Sequence, residues 1–254
     1  MTAQTVRETD GKNWGEAFRA VRVLLADPTD TVQVFRVMRA LNGGTSAKNY
    51  RRLLQTAEGG RIAYKREELV EKLTNRTHLA QFAPGTVGAA YRAFLEKTGF
   101  SADGLEAVSR EVERDNDEEH PHAWMGRRER DIHDIWHVLT GYQADDPLGE
   151  LCLVAFSYAQ SKGLGWAFIA MAGYLKSFGE ENGAIARAAV REGYAHGRAA
   201  KWLHAEDVDT LFAEPLEDAR KRLNILPPVE YRRAQALFAQ PQATSSVAKA
   251  ALAA

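Results

Sequence analysis

His133 and His137, separated by Asp134-Ile135-Trp136, are the residues whose type and spacing point most directly at chemistry. Side chains at i and i+4 of an α-helix leave from one face, one above the other. Two imidazoles placed in this way offer two nitrogen donors to a divalent cation. Asp134 lies between them, and a further carboxylate, Glu150, returns from the following segment in the pair Gly149-Glu150. Together they make a nitrogen and oxygen set that suits a divalent metal.

A helix over 130–141 divides into two faces when each residue turns it by about 100°. Ile132, Ile135, Trp136 and Leu139 form a core stripe, while Arg130, His133, Asp134, His137 and Gly141 gather on the other side. Gly141 weakens a helix relative to alanine, which fits a second backbone passing close by. The expected visitor is Asp146-Pro147-Leu148-Gly149-Glu150. There Asp146 reads as an N-cap, Pro147 as the first helical residue, and Glu150 as a first-turn carboxylate favoured by the dipole. Arg130 is expected either to orient Asp134 at i, i+4 or to bind a substrate carboxylate.

Three metal patterns compete for these residues. The metalloprotease pattern His-Glu-x-x-His uses its glutamate as general base, and Asp134 stands in that place one methylene shorter. HD-type phosphohydrolases share the His-Asp pair but need a further upstream histidine and a distant aspartate. A three- or four-ligand site built from two adjoining helices fits better. Against all three stands the ordinary reading of a helical histidine as a satisfied core or surface residue. His120 and His122 read as part of a polar turn, and the lone Cys152, set in an apolar run, reads as an inert core thiol.

The elements that must position this site are helical. Apolar spacing of helical period runs over Trp14 to Ala26, over a second segment capped at Thr29 or Asp30, and over a third from Thr45-Ser46 to Gly59-Gly60. Pro84-Gly85-Thr86 opens another through Leu95, and the longest pattern spans Glu180 to Leu203. Strand alternation is scarce, so the expected fold is all-α: a single helical domain over 14–239, between unpatterned termini at 1–13 and 240–254. Leu164 to Leu175 is apolar nearly all round, which fits a buried helix. Its small residues, Gly165, Ala170 and Gly173, also fit an apolar cavity beside the helix. Ala184, Ala188, Ala189 and Ala195 suit close packing of the long helix.

Composition narrows the function classes. Lys+Arg 33 against Asp+Glu 34 leaves a net charge of −1, so no nucleic-acid partner is expected. One cysteine forms no internal disulfide and suits a reducing compartment. No stretch approaches the ~20 apolar residues of a membrane span. Glu8 and Asp10 in the N-terminal segment argue against a secretory or transit signal.

At these residues the chain resembles the fourth Coq protein family (Coq four) of ubiquinone biosynthesis. His133, Asp134, His137, Gly141, Gly149 and Glu150 match its hallmark His-Asp-x-x-His, glycine-containing loop and Gly-Glu. Arg130 matches the Arg-x-x-His-Asp lead-in. Pro84-Gly85-Thr86-Val87-Gly88 with Tyr91 and Phe94 resembles a second family stretch, and Pro215-Leu216 through Pro227-Pro228 resembles its C-terminal helix and proline-rich end. The resemblance covers about residues 30 to 228, loosely in the early helices. One departure concerns the site. The loop from His137 to Glu150 is one residue longer than in the family's usual form, and it reads Gln143-Ala144-Asp145-Asp146-Pro147 where a Thr-Asn pair is common. That leaves the reach of Glu150 to be decided by the fold.

The resemblance implies an all-helical protein with a metal site beside a polyprenyl-binding cavity. It implies His133, Asp134, His137 and Glu150 as ligands, usually to zinc, although the donors would also suit iron or manganese. The implied activity is that of a lyase: oxidative decarboxylation and hydroxylation at ring carbon 1 of a polyprenyl-hydroxybenzoate. Arg130 is a candidate for binding that substrate. Implied partners are the polyprenyl phenol or isoprenoid lipid, other ubiquinone-biosynthesis proteins and a membrane surface, and a homodimer is compatible with the chain. A cytoplasmic protein, peripheral on the cytoplasmic face of a bacterial-type membrane, is expected. The alternative is a non-catalytic polyprenyl-binding scaffold that organises other enzymes, its metal structural.

Overall fold

The computed structural model describes residues 11–99 and 119–239, with Gly104, Glu106 and Ala107. Most of the segments expected to fray, 1–13 and 240–254, lie outside the described residues. The described residues form helices and no strand; one isolated bridge pairs Thr86 with Pro215. In chain order the helices are α1 (Trp14–Ala26), α2 (Thr31–Leu41), α3 (Thr45–Leu53), α4 (Ala57–Lys65), α5 (Leu69–Thr74), α6 (Arg76–Ala80) and α7 (Val87–Thr98). After residue 119 follow α8 (Pro121–Asp131), α9 (His133–Thr140), α10 (Pro147–Ser161), α11 (Leu164–Lys176), α12 (Gly183–Ala199), α13 (Val208–Ala213), α14 (Leu216–Leu223) and α15 (Val229–Phe238).

Local chemistry sets these boundaries. The Asn13 side chain accepts from the Glu16 amide and starts α1, Thr86 caps α7 through the Ala89 amide, and Asp146 caps α10 through the Leu148 amide. Gly59 and Gly60 do not end α3. Thr56 accepts from the Gly59 amide and opens α4 there, so both glycines fall inside a helix. The long pattern over 180–203 shortens to α12, still the longest helix among the described residues.

The core is organised around α10, whose Cys152, Leu153, Val154, Ala155 and Phe156 are all buried. Burial pushes the Cys152 thiol well above its usual range, which suits the inert thiol expected there. Helix α12 lies against α10, and of the alanines expected to pack closely only Ala189 is fully buried in the core. Ala184 and Ala195 are exposed, and Gly193 and Gly197 face the Cys152 and Phe156 carbonyls at distances that exclude a Cβ. Helix α11 packs on α10, α1 and α2, and it differs from both expectations for it. It buries Gly165, Ile169 and Ala170, yet Met171 and Leu175 are exposed. The space beside Gly165 and Gly173 is taken by Met38 and Leu151, so these glycines bring helices together instead of leaving room for a tail. No helix among the described residues is long and apolar enough to cross a membrane.

Candidate metal centre

The helix expected to run unbroken over 130–141 is two helices. Ile132 is a turn residue between α8 and α9, which frees α8 to lie on α3 and α5 while α9 packs on α7 and α14. His133 and His137 keep their i, i+4 relation because both belong to α9. Arg130 falls on the other side of the break. Its Nε and Nη2 hold Asp131 at 2.7 Å and do not orient Asp134, while Nη1 is buried without a hydrogen-bond partner.

The close backbone approach expected at Gly141 occurs at Gly149 instead. Gly141 ends α9 with φ 77°, a left-handed conformation that glycine adopts without strain. A Cβ there would meet only Pro228 and Arg220 at ordinary contact distance. The close approach occurs at Gly149, where an added Cβ would lie 2.3 Å from the Gln143 carbonyl oxygen. The loop after α9 therefore folds directly over the first turn of α10, which carries Glu150 back to the histidines.

Glu150 reaches both. Its Oε1 lies 3.3 Å from His133 Nε2, and its Oε2 lies 3.0 Å from His137 Nε2. His133, His137 and Glu150 each offer a donor atom, and these three atoms lie within 4.8 Å of one another. The longer loop is absorbed where Tyr231 accepts from the Gln143 amide and donates to Asp146. His137 Nδ1 sits 2.8 Å from the Tyr142 carbonyl oxygen, an acceptor only. That contact keeps a proton on Nδ1 and turns Nε2 toward Glu150, to which it donates when the ring is protonated and beside which it offers a lone pair to a cation when the ring is neutral.

The surroundings hold the set in place. Phe94 stacks on His137 at 5.9 Å, and Trp166 stacks on His133 at 5.4 Å with only 4° between the planes. Arg220 donates to the Leu139 and Val138 carbonyls, satisfying the end of α9. Tyr142, Trp166, Arg220 and Tyr231 were not legible as site residues. Trp166 reads as one more apolar residue of α11, Tyr142 acts through its backbone carbonyl, and Arg220 and Tyr231 act through partners distant in sequence.

Charge follows from this packing. Burial works to raise the Glu150 carboxyl, but hydrogen bonds from His133 and His137 outweigh it and hold the group below the usual carboxylate range. Burial works to lower His137, and Glu150 reverses it, so His137 is raised. Its side chain 41% exposed, Glu150 sits at the mouth of the site while His137 is buried. Asp134 stands apart from the three. It follows His133 by one residue, and neighbours at i, i+1 do not share a helical face. Asp134 is buried, its Oδ2 has no hydrogen-bond partner, and burial raises its pKa. The donors present fit a divalent cation: two imidazole nitrogens and a carboxylate.

A family model described as coenzyme Q (ubiquinone) biosynthesis protein Coq4 matches residues 14–229. The chain belongs to the Coq4 family. A Neurospora crassa relative, the mitochondrial ubiquinone biosynthesis protein coq-4, is 29% identical over 185 residues, covering 71% of this chain and 50% of the relative. A Pyrenophora tritici-repentis relative, the mitochondrial ubiquinone biosynthesis protein coq4, is 34% identical over 110 residues, covering 43% of this chain and 36% of the relative. The chain thus spans at most about half the length of these curated relatives. In fold it is similar to the crystal structure of a Nostoc punctiforme PCC 73102 protein provisionally described as a ubiquinone biosynthesis protein. The TM-score is 0.60 and the identity 21%, with 84% of this chain and 99% of that one covered.

The Coq4 relatives correct one expectation. They are named as mitochondrial proteins, which overturns the bacterial-type cytoplasmic location. Acidic residues near the N-terminus carried that expectation, and they report on local composition without fixing a compartment.

Proposed function

We propose that this Coq4-family chain is a metal-dependent enzyme of ubiquinone biosynthesis that replaces the ring carboxyl at carbon 1 of a polyprenyl-hydroxybenzoate by a hydroxyl. The observation that carries this reading is the convergence of His133, His137 and Glu150 at a partly open mouth. A closed four-ligand site would favour a structural ion, whereas three donors leave a position for substrate. A divalent cation held there would act as a Lewis acid on a carboxylate or phenolate oxygen.

The protein's own residues do the rest. Tyr142 and Trp166 orient the imidazoles, and Arg130, paired with Asp131 through Nε and Nη2 but with Nη1 unpartnered, is the candidate partner for the substrate carboxylate. The overall change balances as carboxylic acid plus water giving phenol, carbon dioxide, two protons and two electrons. An oxidant such as dioxygen must accept those electrons, because zinc has no redox chemistry.

The lipid partner is supported by a separate surface. Trp14 and Phe18 of α1 pack on Phe168 of α11, and with Met171, Leu175 and Phe178 they leave large apolar groups exposed. Such a surface suits a membrane from which a polyprenyl substrate would be drawn.

The test is genetic and chemical. In a ubiquinone-making host whose own family member is deleted, this chain is expected to clear an accumulated carboxylated precursor, and His133→Ala is expected not to. Full rescue by His133→Ala would favour the non-catalytic scaffold.

A further inference from the structure

We propose that Trp166 is a positioning residue for the metal site, held in place by Glu129 and acting through the plane of the His133 ring. The inference rests on the metal reading given above. Glu129 lies one helical turn before His133, but across the break at Ile132, and its carboxylate turns into the protein. Its Oε1 accepts from Trp166 Nε1 at 3.4 Å, and its Oε2 accepts from Asn49 Nδ2 at 3.5 Å. The start of α11 is tied down independently, because the Gly165 amide donates to Asn42 Oδ1 at 2.8 Å.

The indole is therefore fixed at its nitrogen and at its backbone, and its face lies 4° from the plane of His133. His133 needs such support. Its Nδ1 is buried without a hydrogen-bond partner, whereas His137 has the Tyr142 carbonyl to orient it. A histidine ligand is ordinarily aimed by a hydrogen bond on its other nitrogen. Here a flat aromatic contact takes that role for His133, with rotation about χ2 limited by the indole face. The two histidines are thus aimed by different means.

Two measurements test this, one with metal and one without. Zn2+ affinity, read by competition with a chelator, is expected to fall by roughly 10- to 100-fold in Trp166→Leu, the range of lost outer-shell support. Trp166→Phe, which keeps a flat ring, is expected to retain most of the affinity. Glu129→Gln, which keeps an acceptor for the indole, is expected to do the same. Helicity and melting temperature serve as controls. In the metal-free protein the His133 ring protons, shielded by the indole, are expected to move downfield in Trp166→Leu. Unchanged Zn2+ affinity in a folded Trp166→Leu protein, or unmoved His133 protons, overturns the inference alone. A wild-type protein that takes up no Zn2+ fails the metal reading and overturns the inference with it.

Discussion

Two histidine–glutamate clusters sit on either side of Trp166, and they differ in what their surroundings permit. At the candidate metal centre Glu150 faces His133 and His137 from the mouth of the site, its side chain 41% exposed. In the interior Glu129 faces His204 at 3.8 Å, with side chains 10% and 0% exposed. His204 is packed between Trp136 and Trp202, and the Glu129 oxygens are spent on Trp166 and Asn49. The residue types are the same, so type alone does not distinguish a site from a structural knot. What distinguishes them is convergence of donors with access on one side, against saturation of acceptors in a sealed volume on the other.

The largest effects should separate the clusters. His137→Ala removes one of three donors, so divalent-metal affinity is expected to fall by more than about 100-fold, beyond the range of outer-shell changes. Chelator competition measures this, and the metal-free melting temperature should fall too, because the buried ring and its bond to the Tyr142 carbonyl are lost, but without loss of the fold. Loss of fold instead of metal would make the two clusters alike. Glu129→Ala should behave in the opposite sense. It leaves the Trp166 and Asn49 donors buried without an acceptor, and denaturant unfolding is expected to show a loss of about 3 kcal/mol. Metal affinity should fall less in Glu129→Ala than in His137→Ala.

This contrast also marks how far the sequence was legible. The helical fold followed from apolar spacing, and Asp146, Pro147 and Thr86 announced their helix starts by residue type. His133, His137 and Glu150 were legible because helical spacing and a Gly-Glu return are local patterns. The break at Ile132 was not, since an unbroken apolar stripe runs through it and the turn is set by where α8 and α9 pack. That one turn redirected Arg130 from Asp134 to Asp131. Glu129 and His204 were silent for the same reason: they are 75 residues apart, and only the packed fold joins them.

Acid should sharpen the comparison on the interior side. Burial works to raise Glu129, but His204 and the hydrogen bonds to it outweigh this and lower it from its ordinary 4.5. A lowered carboxyl contributes stability that is fully present above about 4.5 and is lost as pH falls through the folded value. Unfolding free energy measured across that acid window should therefore drop in the wild type. In Glu129→Gln it should start lower near neutral pH and fall less steeply. Equal slopes would mean that Glu129 is not the charged partner in the knot.

The smallest expected effects concern the hinge that brings Glu150 into reach. The Tyr231 hydroxyl donates to Asp146 Oδ2 at 2.7 Å and accepts from the Gln143 amide and from Gln235. Asp146 in turn caps α10 through its other oxygen, to the Leu148 amide at 3.0 Å. Asp146→Ala is expected to cost about 1 kcal/mol in thermal or denaturant unfolding, the usual price of a lost N-cap. Tyr231→Phe should cost a similar amount, about 1 kcal/mol, because the ring still packs on Tyr142 and only the hydroxyl is lost. Their effect on metal affinity should stay below that of Trp166→Leu, since Gly149 and the loop backbone still hold Glu150 against the histidines. A larger loss of metal than of stability in Tyr231→Phe would move the loop hinge from scaffold to site, and would show that the lengthened loop is held in register by the C-terminal helix.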